Sequence, residues 1–106
     1  MAVFILPDAQ DDLLSLQEYM LDRWSEGDWL RAEDEIFEQL DRVNSGLLGG
    51  AAVRELAGVG ITDYRVVLTS HHKLVYRRVG GDVYVYAVAG HKQDFPALWT
   101  KRMLKA

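Results

Sequence analysis

The sequence predicts an α+β fold, in which an antiparallel helical hairpin packs on a mainly antiparallel sheet of three or four strands. Apolar residues recur at helical spacing through the first half of the chain and alternate with polar residues in the second half. The change of period follows Gly49 and Gly50, a pair that is typical of a turn. The element order is a strand, two helices, the sheet strands and a short C-terminal helix, all in one domain over residues 1–106.

The N-terminal segment predicts a short strand followed by a helix. Val3 to Leu6 is a β-type apolar run, and Pro7 after it suits the first turn of a helix. Three aspartates crowd the predicted helix start, where negative charge interacts favourably with the helix dipole. We therefore expect a helix over about 8–24. Its apolar stripe consists of Ala9, Leu13, Leu16, Met20 and Trp24.

A second helix follows a break at residues 25–27, and Asp28 is the expected N-cap. This helix is expected to end near residues 44–46. Because the link between the two helices is short, they should form an antiparallel hairpin. The apolar stripe of the second helix consists of Trp29, Ala32, Ile36, Leu40, Val43 and Leu47.

The second half of the chain predicts the sheet and a closing helix. Gly80 and Gly81 stand where a two-residue hairpin turn belongs, because both central residues of that turn adopt positive φ. The closing helix is expected over Phe95 to Leu104. The expected strands are Val53 to Ala57, Tyr64 to Thr69, Lys73 to Val79 and Asp82 to Ala89.

Composition excludes several classes of protein. The chain has no cysteine, so disulfides, thiolate metal sites and cysteine nucleophiles are absent. Its N-terminal apolar run is too short for a signal peptide, and no apolar stretch approaches the roughly 20 residues of a membrane span. We therefore expect a cytoplasmic protein.

The net charge of −4 is divided unevenly between the two halves of the chain. Residues 1–50 hold three basic and twelve acidic residues, whereas residues 51–106 hold nine basic and four acidic residues. A basic second half indicates a surface for an anionic partner. The alternative interpretation is that the helices have solvated acidic faces and the division has no functional meaning.

Motifs that would identify a hydrolase or a nucleotide-binding protein are absent. The chain has no Gly-x-x-x-x-Gly-Lys phosphate loop and no His-Glu-x-x-His metal motif. Ser70 precedes His71 without the Gly-x-Ser-x-Gly turn of a serine hydrolase. The pair His71-His72 lacks the spacing of zinc ligands, so we expect neither a metal nor another cofactor.

The remaining candidates for chemistry are cationic residues on the predicted strands. If Tyr64, Leu74, Tyr76 and Val83 pack under the helices, alternation places another set of side chains together on the outer face. A basic surface with interleaved aromatic rings can bind a phosphate backbone and stack a base. The alternative is that these cations only keep an exposed sheet face soluble. The outer set consists of Arg65, Arg77, Tyr84 and Tyr86.

The element order, together with several short runs, resembles the RelE/ParE superfamily of type II toxin–antitoxin systems over nearly the whole chain. The N-terminal strand leads into Pro7-Asp8-Ala9-Gln10-Asp11-Asp12-Leu13, which is similar to the opening of these toxins. The last strand ends in Val88-Ala89-Gly90-His91-Lys92-Gln93-Asp94, similar to the family's terminal strand. The runs between them are Val53-Arg54-Glu55-Leu56, Tyr64-Arg65-Val66, Leu74-Val75-Tyr76-Arg77 and Val83-Tyr84-Val85-Tyr86.

The resemblance implies a growth-arresting toxin that a cognate antitoxin neutralises by wrapping the helical hairpin and sheet. ParE-like members poison DNA gyrase, whereas RelE-like members cut messenger RNA on the ribosome without a metal. The pI of about 5.2 favours the gyrase interpretation, because RNA binding depends on neutralising phosphates. A non-toxic binding module of the same fold is a third interpretation.

The two toxin interpretations assign different residues. A nuclease would use Arg65 and Arg77 to bind phosphate, Lys73 to activate the ribose 2′-hydroxyl, and His91 as general acid. A gyrase inhibitor would use the basic strands and the C-terminal helix as its contact surface. The residues expected on that surface are Arg54, Arg78, Lys92, Trp99, Lys101 and Arg102.

Overall fold

A computed structural model describes residues 2–54, 58, 60 and 63–105 of the chain. The helices are α1 (Pro7–Arg23), α2 (Glu26–Asn44) and α3 (Phe95–Lys105). The strands are β1 (Val3–Ile5), β2 (Ala51–Ala52), β3 (Tyr64–Leu68), β4 (His72–Val79) and β5 (Asp82–Gly90). The predicted α+β class is confirmed. None of the described helices has the length and apolar character that crossing a membrane requires.

The five strands form one mixed sheet in the order β1-β5-β4-β3-β2. The strand β1 runs parallel to β5, and every other neighbouring pair is antiparallel. The predicted hairpin turn between β4 and β5 is confirmed, since Gly80 and Gly81 have φ angles of 58° and 92°. A register shift between Val75 and Tyr76 of β4 indicates a bulge against β5. Bulges increase the local twist and change which residues lie opposite each other.

The prediction of a strand over Val53 to Ala57 is wrong for Val53 and Arg54, neither of which lies in a strand. The structure has the short edge strand β2 at Ala51–Ala52 instead, and Arg54 is already helical. Residues 55–57 lie outside the described residues. The chain reaches the sheet edge earlier than expected because Gly50, with a φ of 69°, turns it directly onto β3.

The start of α2 also differs from the prediction. Ser25, not Asp28, is the N-cap, and the two residues form a capping box. The Asp28 backbone N–H donates to Ser25 Oγ at 3.1 Å, and the Ser25 backbone N–H donates to Asp28 Oδ2 at 3.2 Å. Hydrogen bonds from Ser25 hold the pKa of the Asp28 carboxyl below its ordinary value. Leu47, expected in the apolar stripe, lies beyond the helix and is 81% exposed.

Apolar side chains are buried on both faces of the sheet. On the hairpin face, residues of α1 and α2 pack against Val67, Leu74, Tyr76, Val83, Val85 and Val88. On the opposite face, here called the α3 face, Phe95 and Trp99 of α3 pack against Val53, Val75, Ala87 and Ala89. The C-terminal helix therefore covers part of the sheet face that the sequence predicted to be exposed.

Candidate functional site

The pairing of β3 with β4 decides which cationic side chains share a face. Tyr64 lies opposite Arg77, and Arg65 lies opposite Tyr76. Because Tyr76 is buried in the core of the hairpin face, Arg65 lies on that face. The expectation that Arg65 and Arg77 share the outer face is therefore wrong. It assumed that Tyr64 and Tyr76 point the same way, whereas the register gives them opposite directions.

Arg77 forms a cluster with two tyrosines on the α3 face. Its guanidinium carbon lies 5.3 Å from the ring centre of Tyr64 and 5.5 Å from that of Tyr86. These are cation–π distances, so the rings hold the charge close to the sheet. Burial raises the pKa of the Tyr64 hydroxyl although Arg77 acts against the shift. The prediction that Arg77 and Tyr86 share the outer face is confirmed, and Tyr64 joins them.

The other two nuclease candidates lie apart from this cluster. Lys73 Nζ is 5.2 Å from the ring centre of Phe95, beside the N-terminal end of α3. Lys73 and Arg77 are four positions apart in β4, which is about 13 Å at the rise of a strand. His91 is exposed on the turn after β5, where its Nε2 lies 2.8 Å from the backbone oxygen of Thr69. The described structure does not bring these residues together with Arg65.

The residues expected on a gyrase-contact surface have three different environments. Trp99 is only 1% exposed and its ring packs in the core of the α3 face. Arg78 donates a hydrogen bond to the Val43 carbonyl, which ties β4 to the end of α2. Arg102 is engaged with Asp12 and with the Tyr86 carbonyl. The exposed cations of the set are Arg54, Lys92, Lys101 and also Arg78 itself.

A groove of about 680 Å³ lies between α1 and the ends of β4 and β5. We call it the histidine groove, because His71, His72 and His91 all line it. No sequence motif marks this groove, because its residues are spread from Asp12 to Gln93. Trp24, which was expected in the buried stripe, lines the groove and is 48% exposed. Its indole contacts the His71 ring edge-on, with 4.9 Å between the ring centres.

His72 forms a buried part of the groove wall. Its side chain packs edge-on near Trp29, and its Nδ1 has no hydrogen-bond partner among the described residues. Burial is the main cause that lowers the pKa of His72 to about 4, and the neighbouring His71 and His91 lower it further. The imidazole is therefore neutral at pH 7, and this wall of the groove carries no charge there.

The described residues do not form a metal centre. Within residues 2–54, 58, 60 and 63–105, no group of three or more histidine, aspartate or glutamate side chains is arranged to hold a metal ion. The groove instead combines aromatic walls with hydrogen-bonding imidazoles and the ammonium group of Lys92. Such a surface suits a partner segment that has both apolar and polar side chains.

Comparison with known families identifies the chain. A family described as "ParE toxin of type II toxin-antitoxin system, parDE" matches residues 3–95. The chain belongs to this ParE toxin family. A comparison with curated protein sequences finds no significant match.

The fold of this ParE family member is also similar to that of a solved structure titled "Chromosomal ParDE TA system from P. aeruginosa". The TM-score is 0.67 at 14% identity, and the alignment covers 85% of this chain and 95% of that chain. At this identity the likeness concerns the fold. It agrees with the RelE/ParE superfamily that the sequence resembles.

Proposed function

We propose that this ParE family member is a cytoplasmic toxin that arrests growth by inhibiting DNA gyrase and is neutralised by a cognate antitoxin. The observation that supports gyrase over messenger RNA is the separation of the nuclease candidates. Arg65 lies on the hairpin face, Arg77 lies on the α3 face, and His91 lies on the turn beyond β5. Metal-independent RNA cleavage needs phosphate-binding and proton-transferring groups around one phosphodiester. A gyrase inhibitor needs only a contact surface.

Exposed cations near α3 are the proposed contacts with gyrase. Lys101 lies on the exposed side of α3, and Arg54 is exposed just after Val53, which packs in the core that α3 shares. Trp99 is buried in that core, so we propose that it positions α3 and does not contact gyrase itself. Arg102 fixes the same helix to α1 through Asp12. The target surface then depends on the docking of α3 onto the sheet.

An antitoxin partner is supported by the solved ParDE system and by the exposed hairpin surface. Monomeric proteins rarely expose several large apolar side chains together without a binding role. On this chain such side chains are spaced along α1 and α2, between numerous acidic residues. The large apolar side chains exposed there are Leu14, Tyr19, Leu21, Trp24, Leu30 and Phe37.

Induction of the chain alone in a bacterial host tests the proposed toxicity. We expect growth to stop, an SOS response to follow, and coexpression of the small gene adjacent to the toxin gene to restore growth. Good soluble expression without a growth defect would instead support the non-toxic binding module. Cuts at codon positions in translated messages, without an SOS response, would support the nuclease.

A purified gyrase assay tests the target directly. The chain should inhibit supercoiling or accumulate gyrase–DNA cleavage complexes, and the antitoxin should reverse the effect. A messenger RNA that is being translated by ribosomes is the control substrate, and the chain should leave it uncut. Cleavage of that RNA with unaffected gyrase would overturn the gyrase proposal and leave the family assignment intact.

A further inference from the structure

The histidine groove has the shape of a site for a chain segment. It extends from Asp12 in α1 to Trp24, the residue just after this helix, which is about 18 Å at 1.5 Å per helical residue. Its volume of about 680 Å³ is within the range of ligand sites and accommodates several side chains of one segment. Leu16, Met20 and Val88 provide buried apolar surface along it.

Exposed aromatic rings line the same groove. Tyr19 of α1 and Trp24, the residue just after α1, are each about half exposed, whereas Leu16 and Met20 of the same groove are buried. Trp24 is held by its edge-on contact with His71, so a partner that packs on the indole meets a surface already in place. Preorganised aromatic residues of this kind are frequent hot spots in protein interfaces.

The charges of the groove favour an acidic occupant. Asp12 is neutralised by Arg102, with 2.8 Å between Asp12 Oδ1 and Arg102 Nη2. Lys92 is exposed on the lining and has no ion pair among the residues that the structure describes. At the groove margin the Arg23 guanidinium carbon lies 4.6 Å from the ring centre of Tyr19. Among the charged residues of the lining, Lys92 is therefore the one whose charge no described ion pair compensates. Beside the lining residue Ser70, the Glu35 carboxylate accepts hydrogen bonds from the Ser70 backbone N–H and hydroxyl.

We propose that the histidine groove receives a segment of the antitoxin that packs a large apolar side chain on Trp24 and Tyr19 and places a carboxylate at Lys92. This inference rests on the proposed toxin function. The acidic residues Glu18 and Asp22 on the exposed side of α1 repel such a carboxylate elsewhere on the helix. The groove thus selects both the anchor side chain and the register of the bound segment.

Isothermal titration of the chain with the purified product of the adjacent gene tests this assignment. Trp24→Ala and Lys92→Glu should each weaken binding at least about tenfold. The Lys92→Glu effect should shrink at high salt, because exposed charges are screened. Matched controls are Leu104→Ala and Lys101→Glu, which change an exposed apolar and an exposed cationic residue of α3 and should change affinity less than twofold.

Charge exchange provides a second, independent test. Replacing each acidic residue of the antitoxin tail by lysine should reveal one position that restores binding to Lys92→Glu and weakens binding to the wild-type chain. Thermal unfolding of each variant separates a binding defect from a folding defect.

The possible failures are distinguishable. If the wild-type chain does not bind the adjacent gene product, the proposed antitoxin partnership fails and the groove inference fails with it. If the wild type binds tightly and folded Trp24→Ala and Lys92→Glu retain its affinity, only the groove assignment is overturned. If Trp24→Ala weakens binding and Lys92→Glu retains the wild-type affinity, the proposed contact between Lys92 and a carboxylate of the antitoxin is wrong.

Discussion

Arg102 Nη2 lies 2.8 Å from Asp12 Oδ1, and this ion pair joins residues that are 90 positions apart in the chain. Arg102 Nη1 also donates to Asp12 Oδ2 at 3.0 Å and to the Tyr86 carbonyl at 2.7 Å. Asp12 Oδ2 accepts a further hydrogen bond from the Val88 backbone N–H. The pair therefore connects α1, β5 and α3, and the hydrogen bonds to Asp12 raise the pKa of Arg102.

Removing Asp12 should destabilise the whole domain. The two side chains are 12% and 16% exposed, and Asp12→Ala removes both short hydrogen bonds to the largely buried guanidinium and leaves it the longer 3.6 Å contact with the Asp8 carboxylate. The expected loss is about 3 kcal/mol in the free energy of unfolding, measured with urea. Arg31→Ala is the control, because its ion pair with Asp28 is more exposed and should be worth less than about 1 kcal/mol. Equal losses in the two variants would contradict the prediction.

Alanine at Gly50 should be more harmful than alanine at Gly46. Both glycines have positive φ, which costs an alanine about 1 kcal/mol or more. A Cβ on Gly50 would also lie 3.0 Å from Tyr76 Oη and from the Val66 carbonyl oxygen, whereas nothing lies within 4 Å at Gly46. The clash threatens the hydrogen bond that Tyr76 Oη donates to the Gly49 carbonyl. We expect Gly50→Ala to lose at least about 1 kcal/mol more than Gly46→Ala in urea unfolding.

His72 should make the protein less stable in mild acid. Its pKa is about 4 in the folded chain and about 6.5 when unfolded, so the unfolded chain binds the proton more readily between these values. Stability is therefore complete above pH 6.5 and decreases as the pH falls towards 4. Relative to His72→Phe, the wild type should lose about 2 kcal/mol between pH 7 and pH 5. Leu104→Ala, which changes an exposed residue of α3 and keeps all three histidines, should retain the wild-type pH dependence of urea unfolding.

His91 should be dispensable for toxicity if gyrase is the target. We expect His91→Ala to inhibit supercoiling as strongly as the wild type, since its exposed ring contacts the Thr69 carbonyl and not α3. Lys101→Glu should lose at least about tenfold in potency, because it reverses a charge on the proposed contact surface. Loss of toxicity in His91→Ala with normal folding and normal antitoxin binding would favour the nuclease interpretation.

The elements of this fold were predictable because their signals are local. The apolar stripes of α1 and α2 and the turn residues Gly80 and Gly81 placed the helical hairpin and the β4–β5 hairpin within a few residues. The residues at which these elements begin depend on the local conformation and hydrogen bonds of single residues. The capping box makes Ser25, not Asp28, the N-cap of α2, and the positive φ of Gly50 places the edge strand at Ala51–Ala52.

The sequence by itself determined the α+β class, the resemblance to the RelE/ParE superfamily and the cationic character of the second half of the chain. Only the tertiary structure decided that Arg65 and Arg77 lie on opposite faces. Alternation divides the side chains of each strand between two faces, but it does not determine which residues of neighbouring strands share a face. The pairing of Tyr64 with Arg77 resolves that choice. The histidine groove likewise exists only after folding, since Trp24, His71 and Lys92 come from different parts of the chain.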